Sequence, residues 1–411
     1  MERKLRVGVA GCGPAGLAAA LLLRRDGHEV RLFERFERPQ PLGSGLMIQP
    51  TGLAVLDELG LAGRLGAVGA RVDRLFGKAA PSGRVVLDVR YAALGALRGL
   101  GVHRASLFQV LYDAAVEAGI AVETGRAVTG AAREGEARRL SFADGGRSDA
   151  FDLVVDALGS GSPLAPACGW ALDYGALWAS LDWPEGAGFD PRALEQRYRA
   201  ASIMVGVLPL GPGVGGARPQ AALFWSLRAD RLAAWREAGL AAWKSHVAAL
   251  WPACAPLLDQ IASPEQMTFA RYTHRTVPRP VEPGLVHIGD SWHSASPQLG
   301  QGANMAMLDA YALAQALRDG KDLSAGLRDY VRLRRGHIRL YQAITAAVTP
   351  VYQSDGRALP FLRDRLVGLL GRFGPTAWAQ AMLVAGAAGA PLRPLGLKPG
   401  RLEERTPELV G

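Results

Sequence analysis

The N-terminal stretch from Leu5 to Glu34 decides the fold, and it reads LRVGVAGCGPAGLAAALLLRRDGHEVRLFE. Its first part, Leu5 to Ala10, is apolar and predicts a buried parallel strand. A glycine-rich turn follows, and Leu17 to Asp26 then predicts a helix because alanine and leucine favour helix formation. Gly27 ends this helix, and Val30 to Phe33 predicts a second strand. The stretch therefore predicts a strand–turn–helix–strand unit at the start of an α/β fold.

The turn between the first strand and the helix has the spacing Gly-x-Gly-x-x-Gly. The first glycine permits a tight turn, the second lets the backbone approach a ligand, and the third lets the helix pack against the strand. The unpaired amide groups at the helix start attract a phosphate group. We therefore predict that the pyrophosphate of a dinucleotide binds at Gly11, Gly13, Pro14, Ala15 and Gly16.

An acidic residue follows the second strand. Glu34 lies 18 residues after Gly16, where a carboxylate can accept hydrogen bonds from ribose hydroxyl groups. A carboxylate at this place disfavours a 2′-phosphate. The tightly held dinucleotide is therefore predicted not to be NADP.

A second glycine-rich segment lies late in the chain. Leu285 to Asp290 reads as a short apolar strand that ends in Gly-Asp, and a helix is predicted from about Met305 to Arg318. Between them, Gly300 and Gly302 free the backbone just before the helix begins. Asp290 can accept hydrogen bonds from a polyol, and the amides near the two glycines can bind an electron-rich ring edge.

Together the two segments resemble the class A flavoprotein monooxygenases, the family of para-hydroxybenzoate and salicylate hydroxylases. The late segment of that family reads GDAAHxxxPxxGQGxN and precedes a helix containing Asp-Ala. This sequence matches it at Gly289-Asp290, His293, Pro297, Gly300-Gln301-Gly302, Asn304 and Asp309-Ala310. Further matches are an arginine with spaced leucines at Arg104, Leu107 and Leu111, and the glycine-rich Gly43-Ser44-Gly45-Leu46. The resemblance spans residues 5 to 340.

The resemblance implies that the dinucleotide is FAD and assigns residues to its parts. Glu34 and Arg35 are expected to hold the adenosine end, Gly289 and Asp290 the ribityl chain, and Arg104 the ribityl-pyrophosphate region. The isoalloxazine ring is expected to lie against Leu299, Gly300, Gly302, Ala303 and Asn304. Pro297 and His293 are expected near the flavin, the former on the face where oxygen reacts and the latter in a structural role. Tyr272 is a candidate for the substrate pocket, with Arg271 and His274 beside it.

The middle of the sequence departs from the family. A family segment like DLVVGADGxxSxxR, which binds both FAD and NAD(P)H, reads DLVVDALGSGSPLA here, from Asp152 to Ala165. Leu158 replaces the motif's aspartate and Ala165 replaces its arginine, so two strong hydrogen-bonding groups are missing. Three explanations remain open. NADH or NADPH binds through other groups, the substrate itself reduces the flavin, or a separate flavin reductase supplies reduced flavin.

The same pattern predicts the architecture. We expect a Rossmann-type FAD-binding domain with an inserted mixed-sheet substrate domain and C-terminal helices. The FAD-binding domain is assigned to residues 1–75, 100–168 and 275–340, the substrate domain to 76–99 and 169–274, and the C-terminal helical region and tail to 341–411. Strands are predicted at Val85–Val89, Ala176–Leu181, Ile203–Leu208 and Ala221–Leu227, and helices at Ala229–Trp251 and Thr376–Ala390. The helix at Ala229–Trp251 carries tryptophans that are expected in the core, and Thr376–Ala390 is expected to pack on the body or in a homodimer contact.

Composition excludes several other classes of protein. The formal net charge is +9, but the arginines are scattered, which argues against a nucleic-acid-binding tail. A basic stretch containing Arg328, Arg332, Arg334, Arg335 and Arg339 is expected to be a solvated face. The three cysteines form no disulfide framework or metal motif, and we expect a cytoplasmic protein with no bound metal. No apolar run is long enough for a membrane span.

The expected function is that of an FAD-dependent monooxygenase. It would hydroxylate or epoxidise an aromatic or polyketide-like small molecule with dioxygen, through a flavin C4a-hydroperoxide. The alternatives are an FAD oxidase or dehydrogenase on the same fold, which the altered middle motif favours, and a monooxygenase reduced by a partner. A flavin halogenase is disfavoured because the WxWxIP signature is missing. A binding module without catalysis is disfavoured because the late segment, which shapes the reactive edge of the flavin, is retained.

Overall fold

A computed structural model describes residues 4–38, 45–370 and 374–402 of the chain. The family match at Gly43-Ser44 lies outside the described residues. The strands are β1 (Arg6–Ala10), β2 (Glu29–Phe33), β3 (Gly45–Ile48), β4 (Ala70–Val72), β5 (Arg74–Ala79), β6 (Val85–Arg90), β7 (Gly99–His103), β8 (Ala121–Glu123), β9 (Val128–Glu134), β10 (Ala137–Phe142), β11 (Leu153–Asp156), β12 (Trp170–Ala171), β13 (Tyr174–Asp182), β14 (Ala193–Arg199), β15 (Ile203–Gly211), β16 (Gln220–Arg228), β17 (Thr268–Ala270), β18 (Thr273–His274), β19 (Val281–Glu282) and β20 (Leu285–His287). The helices are α1 (Pro14–Arg25), α2 (Pro50–Glu58), α3 (Ala62–Val68), α4 (Arg104–Glu117), α5 (Leu232–Leu250), α6 (Ala255–Asp259), α7 (Asp290–His293), α8 (Gly302–Asp319), α9 (Leu323–Tyr352), α10 (Ala358–Leu370) and α11 (Gly374–Val384).

A six-stranded sheet in the order β19-β20-β11-β1-β2-β8 forms the dinucleotide-binding half of the molecule. Its strands are parallel apart from β19, which is antiparallel to β20. Apolar residues of β1 such as Val7 and Val9 are fully buried, because helices α1 and α8 cover the sheet. The carboxyl ends of β1, β2, β11 and β20 therefore meet at one edge, which is where parallel sheets bind ligands.

A second sheet of seven strands has the order β17-β13-β16-β15-β14-β5-β6. It is mixed, since β14 and β5 are parallel while the other pairs are antiparallel. The predicted mixed sheet is confirmed, and the predicted strand at 85–89 joins it as β6. The small sheet β3-β7-β4 contacts it through β15, and on its other side it contacts helices α2, α3 and α4. The division into domains by residue limits stays a prediction.

Helix α5 covers one face of the mixed sheet. Trp243 and Val247 are buried there, and the Trp243 ring meets the Trp225 ring edge-on with centroids 6.3 Å apart. The expectation that the tryptophans of this helix belong to the core is confirmed. The helix is not continuous, because Gly239 has non-helical angles of φ 77° and ψ 167°. Glycine adopts this conformation without the steric cost of a side chain.

The C-terminal helices close the molecule. The 30-residue α9 packs along α8, and α10 contacts α9 and β6. The predicted helix at 376–390 is observed as α11, which ends at Val384. No helix within the described part of the chain is long and apolar enough to cross a membrane.

Candidate functional site

The turn after β1 forms an open cradle at the start of α1. Gly11 has φ +102°, and a Cβ atom there would lie 2.6 Å from the Ala157 carbonyl oxygen. A Cβ at Gly16 would overlap the Gly11 carbonyl oxygen. At Gly13 a Cβ would meet no atom within 4 Å, so the backbone faces open space. Because no side chain caps the start of α1, its amide groups are available to a phosphate.

Glu34 lies beside this cradle at the end of β2. Its two carboxylate oxygens accept hydrogen bonds from the backbone amides of Cys12, at 3.1 Å, and Phe36, at 3.1 Å. Burial and the nearby Glu34 raise the pKa of the Cys12 thiol to about 12, so the thiol is neutral. Arg35 is exposed and lies over the Phe36 ring, 4.6 Å from its centroid. Of the two predicted adenosine-binding residues, Glu34 therefore borders the cradle.

Asp290, in the late Gly-Asp segment, lies near the same helix start. It has exposed surface, whereas its neighbours Gly289 and Ser291 are buried. The protein atoms packed around the Asp290 carboxyl withdraw part of its hydration and raise its pKa above the usual value, and the charges of His293 and Arg104 oppose the rise. A Cβ atom at Gly289 would lie 3.1 Å from Ala306 and 3.2 Å from Ala15, so α1 and α8 converge at this glycine. The glycine therefore lets two helices bring their N-terminal ends beside Asp290.

The loop before α8 completes the opening. Pro297 is exposed and Leu299 is buried in a single turn of 3₁₀ helix, and Gly300 then adopts φ 62°. Helix α8 begins at Gly302 without a side-chain cap, so its first amide groups are also available to a ligand. A Cβ atom at Gly302 would be 4.0 Å from Asp290 Oδ1.

Asn304 acts inside the protein and not at the surface of the opening. Its Oδ1 accepts a hydrogen bond from the Gln49 amide at 2.8 Å. Its Nδ2 donates to the carbonyl oxygens of Met47, at 3.1 Å, and Gly300, at 3.0 Å. Both ends of the side chain are therefore used to fasten β3 to the loop, and any role toward the isoalloxazine ring is one of positioning.

A buried carboxylate anchors the Gly-Asp segment. Asp309 Oδ2 accepts a hydrogen bond from the Gly289 amide at 2.8 Å and contacts His293 Nε2 at 2.6 Å. Its Oδ1 accepts from Arg334 Nε at 2.7 Å. Burial acts to raise the pKa of Asp309, but His293 and Arg334 outweigh it and lower the pKa. The prediction of a solvated face is therefore wrong for Arg334, which is fully buried as the counterion of Asp309, while the other four arginines of that stretch are exposed.

The network continues from Arg334 to the C-terminal segment. Arg334 Nη1 lies 3.2 Å from His337 Nδ1, and His337 Nε2 lies 3.1 Å from the Gly386 carbonyl oxygen. Burial, helped by the charge of Arg334, lowers the pKa of His337 to about 3. His337 is thus neutral and donates to Gly386.

We expect this histidine to make the protein less stable in acid. Its folded pKa of about 3 is below the ordinary value of 6.5, so its stabilising contribution is present above pH 6.5 and is lost as the pH falls toward 3. Going from pH 7 to pH 5 should lower the free energy of unfolding by about 2 kcal/mol through this group. Urea denaturation of the wild-type protein and His337→Gln at both pH values checks this, because the glutamine keeps a donor but does not titrate. An equal pH effect in both proteins would contradict it.

The Gly386 carbonyl group that His337 contacts belongs to a segment we call the C-terminal strap, residues 383–386. Gln301 Nε2 donates to the Val384 carbonyl oxygen at 2.6 Å, and Thr51 Oγ1 donates to that of Ala385 at 3.3 Å. Tyr341 donates its hydroxyl to the Leu383 carbonyl oxygen at 2.9 Å. The strap therefore ties the Gly300–Gly302 loop to α2 and α9.

The altered middle motif contains a buried cluster that sequence reasoning missed. Asp156 ends β11, and its Oδ2 accepts from Ser162 Oγ at 2.6 Å and contacts His287 Nδ1 at 2.7 Å. Its Oδ1 accepts from the Leu158 amide at 3.0 Å. An aspartate after three apolar strand residues was the available signal. This cluster fixes the loop from Leu158 to Ser162, although position 158 lacks the aspartate of the family motif.

Arg275 also stabilises this loop, through hydrogen bonds to its backbone. It is buried, and its guanidinium donates to the carbonyl oxygens of Ser160, at 2.7 Å, and Pro166, at 3.0 Å. A cavity of about 520 Å³ lies at this loop, and its lining includes Ser160, Ser162, Cys168, Thr273 and Arg275. Thus a guanidinium from a distant part of the sequence reaches the loop in which Ala165 replaces an arginine.

Tyr272, which the sequence predicts in the substrate pocket, is half-buried and hydrogen-bonded to the mixed sheet. Its hydroxyl oxygen accepts a hydrogen bond from Trp178 Nε1 at 3.1 Å, which leaves the phenol proton to donate elsewhere. Burial raises the pKa of Tyr272 to about 12, although Trp178 and the charge of Arg104 oppose the rise. His274, by contrast, stacks on Trp170 with centroids 4.8 Å apart, and Arg271 is exposed.

The described residues fit FAD. Two uncapped helix starts face an opening, Gly13 leaves room for a pyrophosphate, and Asp290 and Glu34 supply the carboxylates that ribityl and ribose hydroxyls require. No group of three or more histidine, cysteine or acidic residues that could hold a metal occurs among the residues the structure describes.

Comparison with known proteins identifies the family. A family model described as FAD binding domain matches residues 4–339. The chain is 30% identical to 3-amino-4-hydroxybenzoate 2-monooxygenase of Streptomyces cremeus, over 81% of this chain and 84% of that protein. It is 28% identical to 2-heptyl-3-hydroxy-4(1H)-quinolone synthase of Mycobacteroides abscessus, over 92% of this chain and 98% of that protein.

Solved structures share the fold. HpxO of Klebsiella pneumoniae, complexed with FAD and uric acid, has a TM-score of 0.77 at 18% identity, covering 93% of this chain and 97% of that one. The tetrameric form of 2-methyl-3-hydroxypyridine-5-carboxylic acid oxygenase has a TM-score of 0.74 at 21% identity, covering 89% and 98%. Taken with the cradle, the Gly-Asp segment and the matched family model, this similarity shows that the chain belongs to the para-hydroxybenzoate hydroxylase-like family of FAD-dependent flavoprotein monooxygenases.

Proposed function

We propose that this protein uses FAD, dioxygen and a reduced nicotinamide nucleotide to hydroxylate or epoxidise an aromatic or polyketide-like small molecule in the cytoplasm. The observation that carries the proposal is the convergence of the β1 turn, Asp290 and the Pro297–Gly302 loop on one opening. The relatives named as a 3-amino-4-hydroxybenzoate monooxygenase and a 2-heptyl-3-hydroxy-4(1H)-quinolone synthase support an aromatic substrate. The three cysteines are all free, which supports a reducing compartment.

Different residues of the chain would bind different parts of FAD. The amides at the start of α1 would hold the pyrophosphate, Glu34 and Arg35 the adenosine end, and Asp290 and Arg104 the ribityl region. The Gly300–Gly302 backbone would face the ring edge, and Pro297 would border its reactive face. Bound FAD supplies the redox chemistry with dioxygen.

Tyr272 is proposed to donate its phenol proton to a polar group of the substrate. We expect Tyr272→Phe to retain FAD but to lower kcat about 10- to 100-fold, since removal of a donor that stabilises developing charge has effects of this order. Because the pKa of Tyr272 is about 12, the loss should be the same across the neutral pH range. Single-turnover kinetics check this, with Tyr311→Phe in α8 as a control that should retain wild-type kcat. A loss that varies with pH would contradict the role.

The experiment that tests the proposal is anaerobic reduction followed by oxygen. The purified protein should carry the absorbance of FAD near ~450 nm, which NADH or NADPH should bleach. Admission of oxygen with an aromatic substrate such as 3-amino-4-hydroxybenzoate or a 4-quinolone should then give a product heavier by one oxygen atom. Mass spectrometry with labelled dioxygen shows whether that oxygen comes from dioxygen. Oxidation of the substrate without incorporation of oxygen would overturn the proposal in favour of an oxidase or dehydrogenase.

A second candidate is a monooxygenase that receives its electrons from a separate flavin reductase. The replacement of the motif's aspartate and arginine by Leu158 and Ala165 favours it. The same experiment distinguishes the two candidates. The reductase-dependent enzyme should show no bleaching by either nucleotide, but it should form product normally once a flavin reductase is added. The loop held by Asp156 and Arg275 supports the first candidate, since an ordered loop can bind a nucleotide through other groups.

A further inference from the structure

Helix α10 is attached to the protein through a charged side chain. Arg363 is 2% exposed, and its guanidinium donates to the carbonyl oxygens of Val351, at 3.0 Å, and Ala200, at 2.9 Å. It also lies over the rings of Tyr198 and Tyr352, 4.9 and 5.2 Å from their centroids. The side of this helix that packs on the protein therefore includes a buried guanidinium, together with the buried Pro360.

The outward face of α10 is apolar. Leu359, Phe361, Leu362 and Leu366 are 46, 54, 50 and 50% exposed, respectively. At 100° per residue, Leu359, Leu362 and Leu366 form one stripe about 60° wide that borders Arg363, while Phe361 lies about 100° beyond this stripe, next to Arg365. Trp378 on α11 is also 52% exposed. A surface helix normally buries its apolar stripe, so a stripe of half-exposed leucines marks an interaction surface.

The charges on this outward face are positive. Arg365 is exposed and lies over the Phe361 ring, 3.3 Å from its centroid, and Arg357 is exposed just before the helix. Asp364 is the one carboxylate between residues 357 and 370, and it is paired with the inward Arg363 at 2.7 Å. The outward face thus combines leucine and phenylalanine side chains with arginines and offers no unpaired carboxylate.

We propose that α10 docks this protein on an anionic lipid surface. The apolar side chains would enter the headgroup boundary while Arg357 and Arg365 contact lipid phosphates, as in interfacial amphipathic helices. A second copy of the chain is a poorer fit, because a twofold contact through this face would bring two cationic faces together without acidic partners. This inference does not depend on the identity of the substrate, because it concerns the attachment of the protein to a lipid surface.

Flotation with lipid vesicles tests the proposal on the full-length holoprotein. The wild-type protein should float with vesicles of equal parts phosphatidylglycerol and phosphatidylcholine, and at least about tenfold less with phosphatidylcholine alone. The double variant Leu362→Ser/Leu366→Ser should lose about tenfold or more of its binding to the anionic vesicles. Arg365→Glu should lose binding to anionic vesicles as well, and it alters one exposed side chain only.

Two controls keep the outcome clear. Val116→Ser removes a 56% exposed apolar side chain from α4 and should float as the wild-type protein does. Each variant should keep its FAD absorbance and melting temperature, which separates loss of docking from loss of folding. Failure of the wild-type protein to float would overturn the proposal. So would a dimer in light scattering that the double variant converts to a monomer, because the face would then be an interface between copies.

Discussion

The Gly13→Ala variant should fold normally but bind FAD about 100-fold more weakly than the wild-type protein, a loss of about 2.8 kcal/mol. Gly13 has φ −71° and ψ 176°, which alanine adopts without strain. The added methyl group would meet no protein atom within 4 Å, so the fold has no reason to change. It would occupy the space in which the pyrophosphate approaches the backbone.

Titration of the apoprotein with FAD, followed by quenching of flavin fluorescence, measures this effect. Gly63→Ala in α3 is the matched control, because its Cβ also meets no atom within 4 Å and its helix lies away from the cradle. The control should bind FAD as the wild-type protein does and should have an equal or higher melting temperature. Unchanged affinity in Gly13→Ala would show that the pyrophosphate does not lie on this turn.

The Gly386→Ala variant should destabilise the protein by about 3 kcal/mol and release FAD faster. Gly386 has φ +77°, and its Cβ would overlap Thr51 Oγ1 and lie 2.6 Å from Gln301 Oε1. Both side chains are already fixed by hydrogen bonds to the C-terminal strap, so they have little freedom to move. The C-terminal strap or the Gly300–Gly302 loop must therefore shift.

Gly396→Ala separates the cost of the backbone conformation from the cost of the contact. Gly396 has φ +67°, but its Cβ would meet no atom within 4 Å. This variant should lose only about 1–2 kcal/mol from the left-handed conformation and should keep its rate of FAD release. Urea denaturation and the return of FAD fluorescence after dilution give the two quantities. Equal behaviour of both variants would show that the strap does not support the flavin loop.

The local elements of the fold could be predicted from the sequence, with errors at their ends. The first helix begins at Pro14 and not at Leu17, because Gly-Pro resembles a turn although proline is favoured at a helix start. The late strand ends at His287 and not at Asp290, since Gly289 turns the chain with φ 60°. These errors at the ends of elements leave the glycine motifs in the turns where they were predicted, because the glycines are required by the backbone conformation of those turns.

The contacts that hold the site together could not be predicted in the same way. Arg334 was read as one of five surface arginines, and its burial depends on Asp309, 25 residues earlier. Arg275 reaches a loop more than 100 residues before it. Asp156 was part of an apolar run and gave no sign of its partner His287 until β11 and β20 were paired. Such partners are chosen by tertiary packing, which a periodic pattern does not contain.

The C-terminal strap also has a consequence for synthesis of the protein on the ribosome. Thr51 and Ala385 are 334 residues apart in sequence, yet they close the same contact beside the flavin loop. The strands that surround the cradle, from β1 to β11, emerge before β20 and α8, and the strap emerges after these. Contacts of such long range form late, because the intervening chain must first be made and ordered. The nascent protein therefore completes the contacts of the strap beside the Gly300–Gly302 loop only after residue 386 has been translated.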